Sequence, residues 1–271
     1  MNGAEPDEVY FGNLNSNVGM IVDSYEQLVH GLTPLFQSAE RQYDVHLDVT
    51  AESLLFENGS ITGARVRNIQ GVATDLRGSG VILATPANAS AALTDDLSPS
   101  LARQLREVTY FPVTVIIVEY DQPIFTSNVR ALAFEDDKIV SNAGVYGANA
   151  LNLVRYTFSG RTARHRLPNT DPESLLREAE VALASHIPVE SSWRMHYAVR
   201  TFSPGLCAYL PHHDRWMGET RHKLENLPNL YLTGDYIRGA SIEACFRASF
   251  DCVNQLVRNL EQPASGNGTP S

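Results

Sequence analysis

The spacing of hydrophobic positions changes period several times along the chain, and each change predicts an element. Tyr25, Leu28, Val29, Leu32, Leu35 and Phe36 recur at helical spacing after Asp23, a candidate N-cap, which predicts a helix kinked at Pro34 with one buried face. From Tyr43 to Leu83 the period becomes two. Val45, Leu47 and Val49 alternate, Asn58-Gly59 marks a hairpin turn, Ile61 to Val66 forms the returning strand, and Val81-Ile82-Leu83 reads as a short buried strand. A short helix is expected over Pro99 and Leu101 to Val108, then an apolar strand from Pro112 to Tyr120. The alternating segments Ala131–Phe134, Ile139–Val145 and Leu151–Phe158 suit an antiparallel sheet. Asp171-Pro172-Glu173 combines an N-cap, a proline at the first helical position and an acid in the first turn. Leu175, Leu176, Ala179, Ala182 and Leu183 supply that helix's apolar face. Strands are expected at Arg194–Val199 and Cys207–Leu210. Last come a short strand, Leu230-Tyr231-Leu232, a Gly-Asp turn, and a helix from Ser241. That helix should turn Ile242, Cys245, Phe246, Ser249, Val253, Leu256 and Leu260 inward.

These elements predict an α/β fold of mixed α+β character, with an antiparallel sheet over roughly 110 to 210. Composition narrows the function. With 271 residues, 43% hydrophobic and 19% charged, the chain reads as an ordinary soluble globular protein rather than a disordered one. Its formal net charge is −10, and Lys138 and Lys223 are its only lysines, so a nucleic-acid partner is not expected. The apolar run Val115–Val118 is far short of the roughly 20 residues of a membrane-spanning helix. The first residues carry acids and no apolar signal region. Cys207, Cys245 and Cys252 are odd in number and lack CxxC spacing, which points to a reducing, cytoplasmic setting without structural zinc. Residues 261–271 read as a disordered tail.

The segment from Asn229 to Phe250 carries the most chemical information. A buried strand that delivers Gly234 and Asp235 to its C-terminal edge puts a small backbone and a carboxylate where open α/β sheets bind ligands. The helix beginning at Ser241-Ile242-Glu243 offers free N–H groups and a positive dipole end to an electron-rich group. A plain strand–helix unit with a solvated aspartate is the competing reading of the same residues.

This segment resembles the C-terminal flavin-binding signature of the FAD-dependent amine oxidase, carotene desaturase and protoporphyrinogen oxidase superfamily. There, a strand and turn of the form LYLAGD precede a Ser-aliphatic-Glu-Gly-Ala helix start. The resemblance implies that Asp235 lies against the ribityl and pyrophosphate part of FAD, and that the N–H groups of Ser241 and Ile242 face the pyrimidine side of the flavin ring, beside Gly234. Two positions depart from the pattern. Ala244 follows Glu243 directly, and Ala248-Ser249 replaces the usual Ser-Gly. Val81 to Leu93 is similar to the family's VVLATPAHAAAAL strand and crossover, and Val45 to Val66 resembles the hairpin before it. In that hairpin Val49 matches the position whose main chain contacts the adenine.

The family's first unit, a βαβ with Gly-x-Gly-x-x-Gly, has no counterpart before Asp23. Gly78-Ser79-Gly80 is a decoy, because it lacks the third glycine and precedes a strand. The resemblance therefore implies a partial FAD-binding, glutathione-reductase-like layer from residues 18–93 and 211–260, with an antiparallel substrate domain from 94–210. The expected protein is one subunit of a split FAD-dependent oxidoreductase acting on a small molecule, with the Gly-rich unit on a partner chain. The alternative is a non-catalytic or regulatory subunit, or a remnant. A chain without its partner should expose an apolar face.

Amine oxidases of this superfamily usually carry a lysine near the flavin. Val115 stands at the matching place, and Pro112–Pro123 looks more like the carotene desaturase and hydroxysqualene dehydroxylase branch. No catalytic residue is assigned, since hydride transfer to a flavin asks mainly for position and desolvation. His212-His213-Asp214 is read as a loop rather than a metal site. Arg161–Arg166 is read as a solvated loop, with an acidic docking partner as the functional alternative. Cys245 and Cys252 are read as core residues.

Overall fold

The computed structural model describes residues 4–5, 7–10, 28, 30–135, 137–147, 149–209 and 211–261. Asp23, Tyr25, Val29, Leu210 and the expected tail beyond Glu261 lie outside them. In chain order the elements are α1 (Thr33–Glu40), β1 (Val49–Glu57), β2 (Ser60–Asn68), β3 (Ala73–Arg77), β4 (Val81–Leu83), α2 (Ala87–Thr94) and α3 (Pro99–Arg106). They continue as β5 (Thr109–Tyr120), β6 (Ala131–Ala133), β7 (Asn142–Val145), β8 (Leu153–Phe158), α4 (Arg161–Arg166), α5 (Pro172–Ala184) and β9 (Arg194–Ala208). The last are α6 (His213–Leu224), β10 (Leu230–Leu232), α7 (Asp235–Arg238) and α8 (Ile242–Glu261). The chain forms two compact units, one of Met1–Gln37 and Thr109–Pro211, the other of Ser38–Val108 and His212–Ser271.

In the first unit, five strands in the order β6-β7-β8-β5-β9 pair antiparallel, as their alternation predicts. Ile116, Val118 and Tyr120 of β5 and Val154, Tyr156 and Phe158 of β8 turn to one face and share a core with Leu175, Leu176, Ala179 and Leu183 of α5. Helix α5 begins where its cap chemistry puts it. Asp171 accepts a hydrogen bond from the Ser174 N–H at 3.0 Å, and Pro172 fills the first position, where no N–H is needed.

A carboxylate is buried against that core. Glu180 of α5 is 5% exposed, which would be costly without partners. Arg194, at the start of β9, supplies them: Nε donates to Glu180 Oε1 at 2.6 Å and Nη2 to Oε2 at 2.5 Å, while Nη1 reaches Glu173 at 2.7 Å. The Tyr120 hydroxyl, which lies 2.8 Å from Tyr156 Oη, donates to Glu180 at 2.8 Å. Tyr120 has one proton to give, so Tyr156 donates to Tyr120. Burial first, then the neighbouring tyrosine and carboxylate, pushes the Tyr120 hydroxyl far above the usual phenol range.

The basic run Arg161–Arg166 is a helix, α4, rather than a loop, and its acidic partners lie in the same chain. Glu5 accepts from the Arg161 N–H at 2.6 Å, Asp7 pairs with Arg161 at 2.8 Å and Glu8 with Arg164 at 2.5 Å. Hydrogen bonding from Arg164 holds the Glu8 carboxyl down at about 2. The Arg164 guanidinium also lies 3.4 Å from the Phe111 ring centre.

The second unit holds an antiparallel sheet, β1-β2-β3, and a separate parallel pair, β4 and β10. Asn58 and Gly59, with φ of 51° and 79°, make the hairpin turn that Asn-Gly predicts. Helices α2 and α3 pack together, and α6 packs against α3. There the Trp216 indole N–H donates to the Gln104 carbonyl at 2.7 Å.

Several expectations need correction. Helix α1 has no buried residue, and Pro34 sits in its first turn, where proline starts a helix instead of kinking it. Val45 and Leu47 precede β1 and are exposed. The two strands expected at 194–199 and 207–210 are one, running past Pro204 along the sheet edge, where the missing N–H of proline leaves no ladder bond unmade. Helix α8 buries only Ala248 and Cys252 among its described residues, while Ile242, Phe246, Val253 and Leu260 are exposed. Cys252 is buried, Cys245 is half-buried, and all three cysteines are free. Among the described residues no helix is long and apolar enough to cross a membrane.

Replacing Arg194 with leucine leaves Glu180 buried without its counter-charge. Urea unfolding should show a loss of about 3–5 kcal/mol. Tyr120→Phe removes one donor and should cost roughly 1–2 kcal/mol in the same measurement.

Candidate functional site

The candidate site lies in the second unit, at the C-terminal ends of β4 and β10. The two strands pair in parallel, Val81 with Leu230, Ile82 with Tyr231 and Leu83 with Leu232. The pairing ends as the Thr233 N–H donates to the Leu83 carbonyl at 3.0 Å. Gly234 follows with φ 138° and ψ −172°, a backbone that a residue with a side chain rarely adopts. A Cβ there would stand 3.2 Å from the Tyr236 ring and 3.7 Å from the Thr85 carbonyl oxygen. Both conformation and space call for glycine.

Asp235 opens the single turn of α7 and is half-buried. Behind it Tyr236 is fully buried, its hydroxyl 3.5 Å from Ser90 Oγ, which is in turn 2.8 Å from Thr85 Oγ1. The Tyr236 and Trp216 rings meet edge-on at 6.2 Å between centroids, and His213 stacks on the same indole at 5.3 Å. Burial lowers the His213 pKa, opposed by a hydrogen bond to the Tyr236 backbone. This wall of Ser90, His213, Trp216 and Tyr236 fixes the turn, and the sequence reading missed it. The His212-His213 pair was its visible trace. Those histidines begin a helix instead of a loop, and among the described residues no cluster of His, Cys, Asp and Glu could hold a metal.

From α7 the chain turns at Gly239, whose φ is 153° and whose Cβ would lie 3.0 Å from Ala244 Cβ. Ser241 Oγ then accepts from the Ala244 N–H at 3.1 Å, capping the 20-residue helix α8. Arg238 pairs with Asp251 and ties α7 to α8. Ser249, where glycine is usual in the resembling pattern, places Oγ 3.1 Å from Thr233 Oγ1 and joins α8 to the end of β10. Both departures from the pattern thus have packing roles.

Gly234, Asp235, Ser241 and Ile242 therefore form one continuous strand–turn–helix feature. Ser241 and Ile242 are exposed at its helical end. Val49 is not part of it: it opens β1 on the other sheet, paired with Asn68 and half-buried. Gly80 in the decoy glycine pair also has a packing reason. A Cβ there would meet Leu256 Cδ1 at 2.9 Å and the Asn229 carbonyl at 3.0 Å.

A parallel pair that ends in a Gly-Asp turn and is followed by a side-chain-capped helix has the arrangement that open α/β sheets place at a ligand-binding edge. Residues 1–257 match the family model of flavin containing amine oxidoreductases, and the chain belongs to that family. Solved structures similar to it include a protein assigned as a protoporphyrinogen oxidase from Exiguobacterium sp. 255-15, at 18% identity and a TM-score of 0.68, covering 87% of this chain and 52% of that one. A redesigned double mutant of putrescine oxidase matches at 13% identity and 0.65, covering 85% and 53%. Cyclohexylamine oxidase from Brevibacterium oxydans IH-35A matches at 12% and 0.62, covering 79% and 49%. The chain spans about half the length of these structures. No curated protein matches the sequence.

Gly234→Ala forces a side chain into positive φ against the Tyr236 ring. It should cost about 1–3 kcal/mol in denaturant unfolding and broaden the near-ultraviolet signal of the Trp216–Tyr236 contact.

Proposed function

We propose that this chain is one subunit of a split FAD-dependent oxidoreductase, supplying the flavin-ring end and most of the substrate cavity, while a partner chain brings the Gly-rich dinucleotide-binding unit. One observation carries the reading. On α8, Ile242, Phe246, Phe250, Val253, Val257 and Leu260 recur every three or four residues and are 42% to 68% exposed. An apolar stripe of this length, at the spacing of a helix-packing seam, is what a monomer's surface rarely leaves open. Next to it α6, β10 and α8 surround a hollow of about 660 Å³, room for a further element of the layer.

The ring-end residues suit the cofactor. Gly234 keeps the backbone close and free of a side chain, Asp235 is a carboxylate suited to accept from ribityl hydroxyls, and α8 offers the N–H groups of Ser241 and Ile242 and its dipole to an electron-rich ring. Val49 would meet the adenine from the β1 side. Among the described residues no Gly-rich turn serves the pyrophosphate, which is the part assigned to the partner. Bound FAD supplies the hydride acceptor for oxidation of a C–H or C–N bond in a small molecule. The protein's share is to position the substrate and exclude water. In this reading the cofactor layer extends through α2 and α3 to Val108, since both helices cluster with the second unit, and the substrate domain begins at β5.

Co-expression with the chain encoded beside it should yield a yellow complex from which this chain co-purifies. In that complex Asp235→Ala should lower flavin content roughly tenfold, the scale of a lost charge-assisted hydrogen bond. Unchanged flavin content and activity would contradict the catalytic-subunit reading and leave a regulatory subunit.

A further inference from the structure

Among the described residues no helix covers the face of the five-stranded sheet opposite α5, and strand register fixes what that face presents. Val113, Val115, Ile117 and Glu119 of β5 stand across from Phe202, Arg200, Ala198 and His196 of β9. On the other side, Thr157 of β8 lies across from Val115 and Arg155 across from Ile117, with Asn142 of β7 beside Thr157. A groove of about 440 Å³ opens on this face, with Val113, Val115 and Phe202 among its apolar lining and Arg155, Thr157 and Asn142 as its polar part. That volume is within the range of small-molecule sites.

Arg155 is the informative member. Most arginines of this acidic chain face a carboxylate, among them Arg65, Arg67, Arg77, Arg106, Arg166 and Arg194. Among the described residues the Arg155 side chain has no ion pair or hydrogen bond, its main chain being taken up in the ladders with β5 and β7. Glu119 is on the same face one register step along β5, yet among the ion pairs of the described residues none joins the two. Arg155 stands on β8, an interior strand of the sheet, is exposed, and lines the groove together with Val113, Val115 and Phe202. Arg200, across from Val115, adds a second positive charge to the face. The Thr157 and Asn142 side chains beside it add hydrogen-bonding capacity.

We propose that this groove recognises a small carboxylate with an apolar body. Arg155 receives the carboxylate through its planar fork of donors, Thr157 adds a hydroxyl donor, and Val113, Val115 and Phe202 cover the apolar part. A cationic amine would meet like charge here, so the groove selects a different ligand from the amines in the names of the putrescine and cyclohexylamine oxidases. Calling this ligand the substrate rests on the flavoenzyme reading above; the binding itself does not.

The test is calorimetric titration of the full, flavin-free chain with octanoate and with octylamine. Octanoate should bind saturably, octylamine should not, and Arg155→Gln should weaken octanoate at least tenfold. Val115→Trp, which fills the groove without altering charge, should abolish binding, and unchanged circular dichroism confirms that both variants fold. Absent octanoate binding, affinity indifferent to Arg155→Gln, or equal binding of octylamine overturns the proposal. Octanoate binding in a chain that never acquires flavin with any partner would keep the groove and remove the enzymatic reading. A flavin-bearing complex whose chain ignores octanoate would do the reverse.

Discussion

A parallel pair of strands three residues long cannot sustain itself. Such strands are stable only when both faces are covered, and here the cover decides where every site residue stands. Leu230, Tyr231 and Leu232 are all buried, the mark of a strand enclosed on both sides. Thr233 links the strand end to Ser249 of α8, Tyr236 plugs the space beside Ser90 and Trp216, and Gly80 lets Leu256 approach. Gly234 and Asp235 are thereby held at the strand's end with little freedom. Among the described residues the outer stripe of α8 has no such cover, and the proposed second chain rests on that imbalance.

The other unit solves its packing problem differently. Its sheet is covered on one face by α5, where a buried glutamate is compensated by one arginine and one tyrosine, while among the described residues no helix covers the opposite face. A buried pair of this kind adds little net stability over an apolar core, but it fixes register, because Glu180 finds its partners in one alignment of α5 on the strands. On that face Arg155 has no ion pair among the described residues. One side of the sheet is thus specified by a buried network, and the other is the face on which the carboxylate groove is proposed.

Much of this was legible in the sequence where the signal was local. The Asn58-Gly59 turn, the Asp171 cap, the strand at Leu230 and the Gly234–Ser241 stretch each depend on residues within one turn of each other. What failed was long-range. Periodicity on α8 correctly picked an apolar face, but periodicity cannot say whether anything covers that face. Helix α6 was missed because, among its described residues, only Trp216, Met217 and Thr220 are buried, and most of the rest are polar or charged. The Arg161–Arg166 run was open to an outside partner because its acids, Glu5, Asp7 and Glu8, lie some 150 positions away in the chain, with separations of 154 to 156 between bonded residues. The wall behind Asp235 joins Ser90, His213, Trp216 and Tyr236, which only the fold brings together. Arg155 drew no notice in a strand that otherwise reads as alternating core.

The central claim is that α8 is the unfinished side of a flavin-binding layer, and hydrogen exchange along that helix tests it most directly. In the isolated chain, amides of residues 242–261 should exchange quickly, since Ala248 and Cys252 are the helix's buried residues. In the complex with its partner and FAD, protection should rise along the whole helix, most of all near Ser241 and Ile242. Slow exchange already present in the isolated chain, unchanged by partner and cofactor, would contradict the account.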